Sequence, residues 1–196
     1  MPPLTERGGR RFSQAISEGD GISVIVEVDG PEAARAAEVG GAEALVIRAD
    51  LAGVRDATEL PILWRRSGPV DDAARAGADA YLIVASELEG EEGARVGDAA
   101  ARAVELGLDW VVSVGDEEEL ERVLELHDPE IIHLTGGDLE HALELLTDVP
   151  AGKLAIAEAT GVTREQVLEL ERRGIDAVIV LARDVAELVG GAPPAV

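Results

Sequence analysis

The chain has 196 residues, of which 46% are apolar, so it is long and apolar enough for one domain with a buried core. Its formal charge of −23 would repel a phosphate backbone, which disfavours nucleic-acid binding. The absence of cysteine excludes disulfides, thiolate metal sites and cysteine nucleophiles.

Short apolar runs recur along the chain and predict eight buried strands. The runs cover residues 22–28, 44–49, 61–64, 80–85, 110–114, 130–134, 154–157 and 177–181. Most are apolar throughout, as in AVIVL at 177–181, and do not alternate with polar residues. Continuous apolar runs are typical of strands in a parallel sheet that helices cover on both faces.

Helical patterns lie between these runs. They cover residues 31–39, 71–76, 91–106, 117–126, 139–146 and 164–173, with a weaker segment at 53–59. Pro31 suits a first helical turn, and Thr163 with Gln166 forms a capping-box pattern at the start of the last helix. The chain therefore alternates between strand and helix.

A short pattern precedes four of the strands: a glycine, one further residue, an acid and then the apolar run. Its copies begin at Gly41, Gly77, Gly107 and Gly174. Glycine fits the left-handed position that ends a helix, so each copy predicts a short loop from helix to strand. Eight alternating strand–helix units predict an α/β fold, a single compact (βα)₈ TIM barrel with short loops over residues 12–189. Loose tails are expected at 1–11 and 190–196.

Polar residues at the C-terminal ends of barrel strands are candidates for function. Glu27 and Asp29 are two positions apart, so on a strand both face the same side, where they would share the barrel mouth with Arg65. Such a cluster can do acid–base chemistry or can be an ion-paired plug that fills a small barrel. The residues alone leave both interpretations open.

The remaining motifs point away from metal chemistry and membranes. The three histidines, His127, His133 and His141, lack metal-ligand spacing, and we expect His133 to be a packed, hydrogen-bonded residue. The sequence indicates no metal or organic cofactor. No apolar run reaches the roughly 18 residues of a membrane span, and no signal-peptide core is present. We therefore expect a cytoplasmic protein that contacts no membrane.

Eight segments carry a resemblance to a known family through their order along the chain. They are 12–16 (with Phe12, Ala15 and Ile16), 21–27 (GISVIVE), 61–63 (PIL), 76–85 (AGADAYLIVA), 116–122 (DEEELER), 131–132 with 138–139 (II and DL), 160–162 (TGV) and 174–178 (GIDAV). Over residues 12–185 the chain resembles the indole-3-glycerol-phosphate synthase family. That family uses a TIM barrel to close an indole ring on a carboxyphenylamino-deoxyribulose phosphate. This carboxy-lyase step of tryptophan biosynthesis releases CO₂ and water.

The resemblance also implies which positions differ from the family pattern. Glu27 matches the glutamate of the first strand, but Asp29 stands where the family has a lysine. Arg65 replaces the general-acid lysine of the third strand. Ser113 replaces a glutamate and Thr135 an asparagine. In the seventh strand the family glutamate is expected at the position of Ala159, and Glu158 lies one residue before it. In the eighth strand Leu181 and Ala182 replace a glycine-containing phosphate turn.

The resemblance and these substitutions together indicate which residues are candidates for catalysis and binding. The catalytic candidates are Glu27, Asp29, Arg65 and Glu158. The candidate residues for binding substrate or an anion are Arg48, Arg66, Ser113, Thr135, Thr160, Gly161 and Arg183. Arginine stays protonated at any pH that a folded protein meets, so Arg65 is a poor general acid. We therefore expect reduced or lost ring closure.

Two alternatives stay open at this point. The chain can be a non-catalytic paralogue, a pseudoenzyme that binds an anionic ligand or a partner protein. It can also be a sugar-phosphate isomerase that uses Glu27 or Asp29 as its base. A small phosphorylated metabolite is the expected ligand, and the sequence does not indicate an oligomeric state.

Overall fold

The computed structural model describes residues 11–18, 21–48, 52–65, 68–84, 93–182 and 188. Within them, eight parallel strands pair in sequence order, and β8 pairs with β1 to close a barrel. The strands are β1 (Ser23–Glu27), β2 (Ala44–Ile47), β3 (Ile62–Trp64), β4 (Ala80–Val84), β5 (Asp109–Val114), β6 (Ile131–Leu134), β7 (Leu154–Glu158) and β8 (Ala177–Leu181). The helices are α1 (Phe12–Ser17), α2 (Pro31–Val39), α3 (Val54–Ala57), α4 (Val70–Ala76), α5 (Gly93–Glu105), α6 (Glu117–His127), α7 (Leu139–Leu146) and α8 (Arg164–Arg173).

The predicted (βα)₈ TIM barrel is confirmed, with every predicted strand and helix present. The weaker segment 53–59 contains α3, a single turn of four residues. The expected tails lie outside the described residues, apart from Arg11. No helix in the described part of the chain is long and apolar enough to cross a membrane.

Two apolar layers result from the alternation of side chains along each strand. Inward-facing residues such as Ile25, Val111 and Ile156 fill the barrel, where they pack with Phe12 and Ile16 of α1. The residues between them on the strands pack outward against the helices. This double burial explains why the strands are apolar throughout.

Helix α1 lies against the interior cluster at the N-terminal end of the barrel. Phe12 is fully buried, and Ile16 is 2% exposed. The backbone N–H of Ser13 donates a 2.8 Å hydrogen bond to Asp109 Oδ2 at the start of β5. A hydroxyl–carbonyl bond of 3.2 Å joins Ser23 Oγ to Ala15 O. Helix α1 therefore closes the lower mouth of the barrel.

The four glycines of the repeated pattern end their helices as predicted, with positive φ between 72° and 101°. The acid two residues later has a role that the sequence did not reveal. Glu43, Asp79 and Asp176 accept hydrogen bonds of 2.7–3.2 Å from backbone N–H groups at or near the start of the preceding strand. The fourth, Asp109, binds α1. We call Glu43, Asp79, Asp109 and Asp176 the basal latches, because they fasten the N-terminal end of the barrel.

Replacement of one basal latch should destabilise the fold measurably. Asp176→Ala removes the acceptor of the Ala155 N–H, so we expect the free energy of unfolding to fall by about 1–2 kcal/mol in urea titrations. Asp148→Ala provides the control, because Asp148 is an exposed acid in the loop between α7 and β7. Equal unfolding midpoints for the two variants would contradict the assigned role.

Candidate active site

Six polar side chains form a layer above the apolar interior, at the C-terminal ends of the strands. We call this set the polar layer; it comprises Glu27, Arg48, Arg65, Ser113, His133 and Glu158. Each follows an inward apolar residue by two positions, as Glu27 follows Ile25 and Glu158 follows Ile156. The strand period therefore aims all six side chains into the barrel mouth.

Two carboxylates and two guanidinium groups of the polar layer form one chain of ion pairs. Arg48 Nε lies 2.9 Å from Glu27 Oε1, and Arg48 Nη2 lies 3.6 Å from Glu158 Oε1. Arg65 Nη2 lies 2.8 Å from Glu158 Oε2. The predicted residues Glu27 and Arg65 thus belong to one cluster, joined through Arg48 and Glu158. The four formal charges of this cluster sum to zero.

Asp29 lies apart from these ion pairs. Strand β1 ends at Glu27, so the alternation that suggested a shared face does not extend to Asp29. Its side chain is exposed in the turn before α2. Glu158 is therefore the second carboxylate that the structure places beside Glu27 and Arg48.

The register of β7 resolves the offset between Glu158 and Ala159. Glu158 faces inward, where it contacts both arginines. Ala159 is buried on the outer side, in the apolar layer beneath the helices. The inward position at the end of β7 is thus Glu158 and not Ala159.

His133 is buried at the centre of the layer, packed and hydrogen-bonded as predicted. Its Nδ1 lies 3.0 Å from Ser113 Oγ, and its Nε2 lies 3.7 Å from Glu158 Oε2. Burial, followed by the charge of Arg65, lowers the pKa of His133 to about 4, although Glu158 opposes this shift. The imidazole is therefore neutral near pH 7, and its approach to Glu158 is not an ion pair.

Glu158 stays ionised for a different reason. Burial favours its neutral form, but the hydrogen bond and charge of Arg65 outweigh burial and hold its pKa below the ordinary value of 4.5. The charge of Arg48 acts in the same direction. A carboxylate stabilised in this way is a weak proton acceptor.

Three buried polar atoms of the layer have no hydrogen-bond partner among the described residues. They are Glu27 Oε2, Arg65 Nη1 and His133 Nε2. Buried polar groups in folded proteins nearly always have a partner, which can be protein, water or ligand. Three such atoms in one layer mark a place where a small polar molecule can bind.

A cavity of about 200 Å³ adjoins the layer beside Glu158. Its lining includes the predicted residues Thr135 and Thr160, together with Gly137 and Asp138. The predicted Gly161 follows Thr160 in an exposed turn with a φ of +64°. The candidates Arg66 and Arg183 lie outside the described residues.

The loops after β5 and β6 are fastened together next to this cavity. His141 Nε2 lies 2.8 Å from the carbonyl oxygen of Gly115, and the Gly115 N–H donates a 2.7 Å bond to Glu119. Gly136 has a φ of +89°, and a Cβ there would lie 2.8 Å from Gly115 O. This contact requires glycine, so the Gly136 turn packs against a neighbouring loop.

The closed eight-stranded barrel and the polar layer at the C-terminal strand ends define the class of this protein, a (βα)₈ barrel with its candidate site at the usual face. Comparison with known proteins defines the family. The model of the indole-3-glycerol phosphate synthase family matches residues 17–183. The chain belongs to this family.

Individual relatives give the degree of similarity. The chain is 28% identical over 169 residues to an indole-3-glycerol phosphate synthase of Geobacillus sp. (strain WCH70), an alignment covering 75% of this chain and 64% of the relative. It thus spans just under two thirds of that relative.

Solved structures share the barrel at low sequence identity. An N-acetylmannosamine-6-phosphate 2-epimerase from Clostridium perfringens superposes with a TM-score of 0.69 and 16% identity, covering 88% of this chain and 90% of the other. A mutant tryptophan synthase α-subunit from Pyrococcus furiosus superposes with a TM-score of 0.65 and 15% identity, covering 86% and 98%. Similarity at these identities shows the fold alone.

Proposed function

We propose that this barrel has lost most or all of the ring-closing activity of its family and still binds a small metabolite at the polar layer. The main support for this proposal is the identity and ion pairing of Arg65. It stands where the family resemblance implies a general-acid lysine, and it is ion-paired to Glu158 at 2.8 Å. Arginine keeps its proton at any pH that a folded enzyme meets. The layer therefore lacks a group that can protonate a substrate at this position.

Two further features support the loss of turnover. Ser113 replaces a glutamate, and its hydroxyl is engaged by His133. Asp29 replaces a lysine and lies exposed, outside the ion-paired cluster. Removal of one general acid or base typically lowers a rate by about 10²–10⁴, although such losses do not simply multiply.

A direct turnover assay tests the proposal. We expect the purified protein, incubated with the carboxyphenylamino-deoxyribulose phosphate, to form indole fluorescence at least about 10³-fold more slowly than a typical enzyme turnover of about 10 s⁻¹. The Geobacillus relative under identical conditions provides the positive control. A rate within tenfold of that control would overturn the proposal.

A sugar-phosphate isomerase is the second candidate, because Glu27 Oε2 is buried and has no partner in the described structure. A carboxylate oxygen in this state can take a proton from a carbon next to a carbonyl. This function predicts uptake of deuterium from D₂O into a pentose or hexose phosphate, followed by NMR, and its loss in Glu27→Gln. Absence of exchange across such a panel would remove this candidate.

A further inference from the structure

We infer that the polar layer and its adjoining cavity bind an uncharged polyhydroxylated ligand, a polyol or sugar, in preference to a phosphate ester. The inference rests on the proposed function in one respect, namely that this rim still binds a small metabolite. It adds the chemical class of that metabolite. Three observations support it: the unpartnered atoms, the charge of the site and the lining of the cavity.

The unpartnered atoms differ in hydrogen-bonding character. Arg65 Nη1 can only donate, while Glu27 Oε2 can only accept when ionised. His133 Nε2 donates or accepts according to the tautomer that Ser113 selects. A hydroxyl group both donates and accepts, so it suits the donor, the acceptor and the imidazole nitrogen alike. A phosphate dianion only accepts, and it would leave the Glu27 oxygen unsatisfied.

Among the described residues, the charges of the polar layer sum to zero and give no net attraction to an anion. Arg48 and Arg65 are each neutralised by Glu27 or Glu158 within the cluster. The whole chain carries −23, so the long-range field repels anionic ligands as well. A phosphate group would share an arginine with a carboxylate of the same sign of charge, whereas a hydroxyl adds no charge to these ion pairs.

The lining of the cavity beside Glu158 also favours an uncharged polar ligand. Its lining residues are Leu134, Thr135, Gly137, Asp138, Ala142, Glu158 and Thr160. Among the described residues, this lining has two threonine hydroxyls and two carboxylates and no lysine or arginine. The volume of about 200 Å³ corresponds to roughly six or seven water molecules at about 30 Å³ each. This space suits a short chain of hydroxylated carbons.

A matched ligand pair tests this specificity. Ribitol and ribitol 5-phosphate share one polyol chain and differ only in the phosphate, and calorimetric titration at low salt gives the affinity of each. We expect the wild-type protein to bind ribitol at least tenfold more tightly than ribitol 5-phosphate. Added salt should narrow this ratio, because it screens the repulsion of the phosphate.

Two variants with the same change of net charge separate the effect of charge in the polar layer from the effect of the net charge of the chain. Glu27→Gln removes one negative charge from the polar layer and should lower the preference for ribitol at least fivefold. Glu130→Gln removes one at the opposite end of the barrel, where Glu130 is exposed, and should leave the ratio unchanged. Thr160→Val changes an exposed residue of the cavity and should weaken ribitol binding about three- to tenfold without affecting the fold.

Three outcomes overturn the inference: equal or tighter binding of ribitol 5-phosphate, binding of neither compound, or identical ratios in Glu27→Gln and Glu130→Gln. The turnover assay tests the proposed loss of ring closure independently of the binding titrations. A protein without turnover that prefers ribitol 5-phosphate would contradict only the inferred ligand class. A protein with full turnover would contradict the proposed function.

Discussion

Lowering the pH from 7 to 4.5 should cost the folded protein about 2–3 kcal/mol of stability through His133 alone. Burial beside Arg65 lowers the pKa of His133 to about 4, whereas the unfolded chain has the ordinary value of 6.5. Between these two values the unfolded state binds the proton and the folded state does not, so acid favours unfolding. This contribution is fully present above pH 6.5 and is lost as the pH falls towards 4. Each pKa unit corresponds to about 1.4 kcal/mol.

Urea titrations at several pH values between 7 and 4.5 measure this effect. In His133→Gln the difference in unfolding free energy between the two ends of the range should shrink by about 2 kcal/mol. Leu126→Ala, at a largely exposed residue without a titratable group, is the control and should keep the wild-type pH dependence. Glu158 also resists acid, but the stability from its lowered pKa is lost only below its unfolded value of 4.5. A wild-type slope in His133→Gln would show that another group is responsible.

Truncation of the aromatic ring at the base of the barrel should have the largest effect on stability. Phe12 is fully buried and packs with Ile16 and the inward-facing strand residues. Phe12→Ala removes these contacts and opens a cavity, so we expect a loss of about 3–5 kcal/mol in the free energy of unfolding. Chemical denaturation monitored by circular dichroism gives this value.

An exposed leucine provides the comparison for Phe12. Leu126 on α6 is 63% exposed, and Leu126→Ala should change stability by less than about 0.5 kcal/mol. If Phe12→Ala cost no more than Leu126→Ala, α1 would not close the barrel in solution. A large loss would show that this helix is an integral part of the folded unit.

The fold was predictable because its determinants are local. Strands buried on both faces require continuous apolar runs, and helix ends before strands require glycine, as Gly77 and Gly174 show. Both requirements leave a direct trace in the sequence. Helix α3 was the weakest prediction, since its single turn has too few residues to show a helical period.

The composition of the site was only partly predictable, because contacts across the barrel depend on register. The two-residue alternation placed Glu27 correctly, but Asp29 falls beyond the end of β1. Arg48, a candidate for binding an anion, bridges Glu27 and Glu158 in the structure, and the sequence did not indicate this pairing. Such pairings join strands that lie far apart in the chain. Extending the inward alternation from Ile131 would have added His133 to the site.

The residues that stabilise this barrel and the residues of its candidate site lie at opposite ends. The basal latches and the buried ring of Phe12 lie at the N-terminal ends of the strands, and the polar layer lies at their C-terminal ends. Substitutions in the polar layer therefore leave the contacts of Phe12 and of the basal latches unchanged. A barrel built in this way can change the side chains around its binding site and keep the contacts that hold its opposite end together.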